Sequence, residues 1–193
     1  MEISVKEQDQ YLGTRIRLNA HLGSARINLQ VDIGFGDAIT PEPKEHLIPA
    51  ILDFPAPTLR VYPWETVVAE KYQAVVELGM ANSRVKDLFD LHFLAKHFAF
   101  TGDALAAAIA ATFNRRKTPL PTARPIALNE EYTNDSNTLS RWSAFLRRSR
   151  LADPSPELRT VADGIWKFLG PMTEAIRTGK PAPRKWEGGG PWQ

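Results

Sequence analysis

Apolar and polar residues alternate strictly between Tyr11 and Phe35. In the first arm Ile16, Leu18, Ala20 and Leu22 alternate with Arg15, Arg17, Asn19 and His21. In the second, Ile27, Leu29, Val31 and Ile33 alternate with Arg26, Asn28, Gln30 and Asp32. Period-two patterning of this kind predicts a β-hairpin with one apolar face. Gly23-Ser24 between the arms fits a type II′ turn, which needs glycine first. The register that keeps both apolar sets together pairs Ile16 with Val31 and Leu18 with Leu29, and sets Arg15 opposite Asp32. The apolar face is expected to be buried.

The period then changes. A proline-rich loop (Pro41, Pro43, Pro49, Pro55, Pro57) leads to a short candidate strand, Leu59 to Tyr62, stopped by Pro63. Beyond it the spacing is helical. Pro63-Trp64 opens one helix, which Gly79 ends. Asn82 or Ser83 caps the next, which runs to about Phe98. Thr101 caps a third, with Leu105, Ile109 and Phe113 on one stripe. After a linker at Pro119, Pro121 and Pro125, residues Asn137 to Arg150 and Pro156 to Leu169 read as two further helices. Leu158, Val161, Ile165 and Phe168 form the inner stripe of the last, and Gly170-Pro171 is expected to break or kink it. The fold class is α+β: a small antiparallel or mixed sheet (1–62), a helical bundle (63–178) and a mobile tail (179–193).

Composition narrows the function classes. With 193 residues, 43% hydrophobic and 24% charged, the chain can bury a core. There is no cysteine, which excludes disulfides, thiolate nucleophiles and cysteine zinc sites. Lysine and arginine number 24 against 22 acidic residues, so the chain is no polyelectrolyte. No apolar run approaches membrane-spanning length. The expected location is the cytoplasm.

Candidate chemistry concentrates between Glu65 and Leu91. Lys71 has Val67, Val68, Ala74 and Val75 as helical neighbours. A lysine ringed by apolar side chains reaches for an anion: a nucleotide phosphate, or Asp87 and Asp90 of the following helix. Arg84 and Lys86 stand at the start of that helix, where cations oppose the dipole. Asp32, flanked by Val31 and Ile33, is a candidate metal ligand on the polar face of a sheet, or the cross-strand partner of Arg15. Arg115-Arg116-Lys117 and Arg147-Arg148 suit helix C-termini, and His21, His46, His92 and His97 have no metal spacing. Gly34-Phe35-Gly36 lacks the following helix of a dinucleotide fingerprint.

An ordered series of motifs resembles the AbiEii/AbiGii toxin family of DNA-polymerase-β-like nucleotidyltransferases. It comprises Val31 to Asp37, Tyr62-Pro63 with Glu65 leading to Ala69-Glu70-Lys71, and Asn82-Ser83-Arg84 with Lys86-Asp87 and Asp90-Leu91. Thr112-Phe113 with Arg116, Thr118 to Pro121, and Gly189 to Trp192 complete it.

The resemblance implies a toxin of a toxin–antitoxin or abortive phage-infection system, transferring a nucleoside monophosphate from MgNTP to an acceptor such as tRNA or another RNA. Its partners would be a cognate antitoxin, the NTP and Mg2+. On that resemblance Asp32 corresponds to the superfamily's third metal carboxylate, Lys71 to its nucleotide-contacting lysine, and Asp90 with Asp87 to its helical acidic motif. Arg84 and Lys86 would join the nucleotide site.

One departure stands out. The superfamily's Asp-x-Asp pair, which follows a Gly-Ser or Gly-Gly turn, has no counterpart here: Gly34 stands where a second aspartate after Asp32 would fall. The chain is therefore expected to correspond to the C-terminal part of such a protein, through truncation, a late start or decay. The alternative is an inactive remnant that only binds antitoxin or RNA.

Overall fold

The computed structural model describes residues 2–5, 13–149 and 156–193. They form an α+β fold of small antiparallel sheets and six α-helices. The chain divides into two compact units, Met1–Asp37 and Ala38–Gln193.

The first unit is a three-stranded antiparallel sheet, β1 (Glu2–Val5), β2 (Gly13–Leu22) and β3 (Ala25–Gly34), in the order β1-β2-β3. The pattern-derived register holds: Ile16 pairs with Val31, Leu18 with Leu29 and Arg15 with Asp32. Gly23 sits at φ +58 while Ser24 keeps a negative φ, as a type II′ turn requires. Pairing of Ile3 with Ile16 adds the third strand, which the alternation did not announce. Tyr11, where the hairpin pattern begins, lies outside the described residues.

The expectation of a buried apolar face is corrected. Ile27, Leu29, Val31 and Ile33 remain 38% to 48% exposed. The physical reason is that a single sheet is one layer, and hiding a face takes a second layer packed on it.

The second unit begins with a hairpin of β4 (Lys44–Leu47) and β5 (Thr58–Val61), where the proline content suggested a loop up to Leu59. Its connection leaves Ile51, Leu52 and Phe54 exposed. Helix α1 (Trp64–Leu78) packs on α2 (Val85–His97) and α3 (Gly102–Arg115). The one-turn helix α4 (Glu130–Thr133) precedes α5 (Ser136–Ser149), where the Thr138 amide and hydroxyl both donate to Asp135. Arg150, the expected end of α5, lies outside the described residues. The core joins Val68, Tyr72, Leu88, Leu91, Leu105 and Ile109 to one face of α6 (Leu158–Thr178). Fully burying each such aliphatic contributes roughly 1.5–3 kcal/mol.

The C-terminal end shows two features that local sequence pattern did not announce. Helix α6 does not stop at Gly170-Pro171 but runs to Thr178. Its inner stripe continues through the proline as Leu158, Val161, Ile165, Phe168, Met172 and Ala175, all buried, while Pro171 lies on the exposed side. Burial of the second half outweighs the lost hydrogen bond.

The segment 179–193, expected to be a mobile tail, is seated on the helices. Strand β7 (Lys185–Trp186) pairs with β6 (Phe100–Thr101), and Trp186 is only 4% exposed. Phe168 stacks on Trp192 with ring planes 4° apart. The indole N–H of Trp186 donates to the Ala95 carbonyl (2.6 Å) and that of Trp192 to the Phe168 carbonyl (2.7 Å). Trp186 thus buries its ring and Trp192 partly buries its own, neither stranding a donor.

Candidate functional site

Lys71 is held by the apolar surroundings its position predicts. Val68, Ala74 and Val75 beside it on α1 are buried, so its stem is dry and its ammonium points along the α1–α2 seam. Helix α1 ends at Gly79, whose φ of +49 a side chain would resist, and whose amide returns to the Val75 carbonyl.

The turn that follows is fastened at Asn82, which is almost fully buried. Its side-chain oxygen accepts from the Arg84 amide (2.8 Å) and its backbone carbonyl accepts from the Tyr132 hydroxyl (2.8 Å). Burial pushes the Tyr132 hydroxyl up to about 12, so it remains a donor across the ordinary pH range. Asn82 therefore shapes the entry to α2, although the helix's own N-cap position is Arg84.

The fastened turn brings five charges together. Lys71 Nζ lies 2.6 Å from Asp87 Oδ1 and 2.8 Å from Asp90 Oδ2. Arg84 Nε approaches Asp87 Oδ2 to 2.6 Å, and Lys86 Nζ approaches Asp90 Oδ2 to 2.5 Å. The Arg84 contact is an ion pair without hydrogen-bond alignment, so the buried Asp87 Oδ2 accepts no hydrogen bond. Three cations face two carboxylates, leaving one net positive charge. Exposure is graded: the Asp87 side chain is 7% exposed and Lys71 19%, while Arg84 and Lys86 reach into solvent.

Burial pulls the Lys71 ammonium down, but hydrogen bonds and charge from Asp87 and Asp90 outweigh it and hold its pKa above the ordinary lysine value. Burial likewise raises Asp90, and hydrogen bonds from Lys71 and Lys86 overcome it, leaving the carboxyl below its ordinary range. Lys71 and Asp90 therefore both stay charged throughout the neutral range. It presents a cationic rim over an ammonium that two carboxylates orient, an arrangement able to receive an anion.

Lys71, Arg84, Lys86, Asp87 and Asp90 are therefore brought together, as their spacing suggested. Asp32 belongs to the sheet unit. It lies on the polar face of β3 and binds Arg15 through both oxygens (2.6 and 3.1 Å), with a further bond from Gln30 (3.0 Å). The hydrogen bond from Arg15 outweighs the small cost of burial and lowers the Asp32 pKa. Among the described residues no three His, Cys, Asp or Glu side chains cluster as a metal site. With Asp32 committed to Arg15, the described residues do not fit a magnesium ion by themselves.

Sequence reasoning missed a second polar network that braces Lys71's helix. Arg116 donates to Gln73 (2.7 Å), Gln73 donates to Thr118 (2.7 Å), and the Thr118 hydroxyl donates to Glu77 (3.1 Å). It ties the end of α3 to α1. Gln73 and Tyr132 gave no signal in periodicity, because both partners of each bond are remote in sequence. His92 lies against Gly164, where a side chain would collide with its ring.

A family model described as nucleotidyl transferase AbiEii toxin, type IV TA system, matches residues 1–164. No curated protein and no solved structure matches the chain.

Proposed function

The chain belongs to the AbiEii nucleotidyl transferase toxin family of type IV toxin–antitoxin systems, and from that premise we propose that Lys71 is its nucleotide-phosphate contact. The supporting observation is the Lys71 ammonium itself, half-buried on an apolar stem and aimed by Asp87 and Asp90. Incoming phosphate oxygens would meet Lys71, with Arg84 and Lys86 closing over them. Asp87 and Asp90 keep the lysine charged and fixed, so no reorganisation is needed on binding.

The reaction in this reading is nucleotidyl transfer. An acceptor hydroxyl on RNA, with tRNA the first choice, attacks the α-phosphorus of an NTP in line. The bond to pyrophosphate breaks, pyrophosphate departs and the hydroxyl proton is released. Magnesium is the metal expected with the donor. The described residues do not group around one, and the Asp32 role as metal ligand requires release from Arg15. A cognate antitoxin is the protein partner, and the cytoplasm, with phage defence as the setting, is the place of action. Among the described residues no helix is long and apolar enough to cross a membrane.

The test is transfer of labelled nucleotide to bulk tRNA, with and without a family-type segment carrying Gly-Ser and Asp-x-Asp supplied in trans. Weak or absent transfer by the chain alone, and Lys71-dependent transfer with the segment, is the expected result. Robust transfer that survives Lys71→Ala would refute the assignment. A second reading, an inactive member that binds antitoxin or RNA only, is favoured by the closed Arg15–Asp32 pair. It predicts no transfer under either condition.

A further inference from the structure

The charge cluster lies along the α1–α2 seam, and the far end of that seam carries a group of rings that stay half-exposed although Phe98 packs against the core. Trp64 is 50% exposed and Phe93 45% exposed, and His97 is exposed beside them. Phe98 joins them: its ring centroid lies 5.0 Å from Trp64 and 6.3 Å from Phe93, and Phe93 lies 4.5 Å from His97. These contacts are tilted, at 46°, 57° and 40°, and Phe93 also stacks towards Phe89 (6.4 Å, 22°), yet Trp64 and Phe93 each keep about half of their surface exposed.

Register connects the two ends. Trp64 and Lys71 are seven residues apart on α1, which returns to the same helix face about 10 Å along the axis. Asp90 and His97 are likewise seven apart on α2, with Phe93 between them on that face. The helices run antiparallel, so Lys71 meets Asp90 at one end and Trp64 meets Phe98 at the other. Cations and half-exposed rings therefore follow one helix face, about 10 Å apart along the axis, a spacing within the reach of an extended nucleotide.

We propose that Trp64, Phe93 and His97 are the base platform of a nucleoside triphosphate whose phosphates lie at Lys71. This deepens the reading of Lys71 as a phosphate contact and rests on it. Aromatic faces stack on any base, since every base has a π-face. A patch of three rings is far smaller than the surface a stable protein partner covers. Its continuity with the cation cluster favours a ligand that carries both a planar base and phosphates.

The experiment is calorimetric titration of the 193-residue chain with ATP and, separately, with inorganic tripolyphosphate, in the same magnesium buffer. ATP should bind more tightly by about tenfold or more. Trp64→Ala and Phe93→Ala should each bring ATP down towards the tripolyphosphate affinity, leave tripolyphosphate binding unchanged and preserve the circular dichroism spectrum. Trp64→Phe should retain most of the preference.

Equal binding of the two ligands by the native chain, or unchanged ATP affinity in both alanine variants, overturns the platform. If Lys71→Ala still abolishes tripolyphosphate binding in that event, the phosphate role survives and only the platform falls. Failure of both ligands to bind overturns both. Loss of antitoxin binding in the alanine variants with ATP binding intact would assign the rings to a protein partner instead.

Discussion

Two of the cation–carboxylate groupings among the described residues are built on opposite principles. In the sheet unit, Arg15 and Asp32 face each other across a hairpin, with Asp32 54% exposed. In the helical unit, Lys71 is enclosed by Asp87 and Asp90 over a dry stem. The first is the pair any antiparallel register offers when opposite charges fall opposite one another, and water screens it. The second has surrendered solvent, so each charge depends on the others, and removing one leaves the rest uncompensated. The packing beneath differs in the same sense. The helical unit buries its stripes completely, whereas the sheet leaves its apolar face open. Similar side-chain chemistry is a surface contact in one unit and an enclosed, interdependent cluster in the other because of what lies underneath.

Core substitutions should separate the two units most. Phe168, fully buried against Phe100, Trp186 and Trp192, should cost about 3–5 kcal/mol on truncation to alanine, read from denaturant unfolding followed by tryptophan fluorescence. Leu29→Ala on the open sheet face should stay within about 0.5 kcal/mol. A comparable loss at Leu29 would mean that this face is covered in solution. The same exposed face and its edge strands predict self-association that Leu29→Thr with Val31→Thr reduces, measured by light scattering.

Charge deletion should come next. Asp87→Asn leaves Lys71 and Arg84 short of a partner and should destabilise the helical unit by about 3 kcal/mol. Asp32→Asn should leave unfolding unchanged within error, since its pair stands in solvent. Equal losses at both positions would erase the distinction.

A smaller effect should appear with pH. Asp90 is held below its ordinary value of 3.8, so its contribution is complete above that value and is lost as pH falls through the folded pKa. Lys71 is held above its ordinary 10.5, so its contribution is complete below that value and is lost as pH rises through the folded pKa. The contributions of Asp90 and Lys71 should therefore be level between about pH 5 and 9 and fall on both sides, with Asp90→Asn flattening the acid limb, while burial of His92, which holds its pKa below 6.5, adds a separate loss as pH falls below that value. An unchanged acid limb in that variant would contradict the coupling.

How much of this was legible in the sequence follows the range of each interaction. The hairpin register was, because a period of two and one glycine turn fix it locally. The convergence of Lys71, Asp87 and Asp90 was, because two patterned helices joined by a short turn must fold their apolar faces together. The continuation of α6 past Pro171 was not, because proline's local cost is visible and the burial of Met172 and Ala175 is not. The docking of Trp186 and Trp192 was hidden for the same reason: their partners Ala95 and Phe168 lie far back in the chain. So was the buried Tyr132 hydroxyl on the Asn82 carbonyl, which sets the turn between the two site helices. The openness of the β3 face was also illegible, since alternation tells which side is apolar but not whether anything covers it.

The central claim is that Lys71 is a phosphate-receiving group and Arg15 is not. Side-chain NMR of the Lys71 ammonium and the Arg15 guanidinium, followed while a nucleoside triphosphate is added, tests it most directly. The account predicts a saturable shift of the Lys71 resonance that Arg84→Ala weakens, with the Arg15 resonance unmoved. A Lys71 resonance that stays still while nucleotide binds, or an equal shift at Arg15, would contradict it.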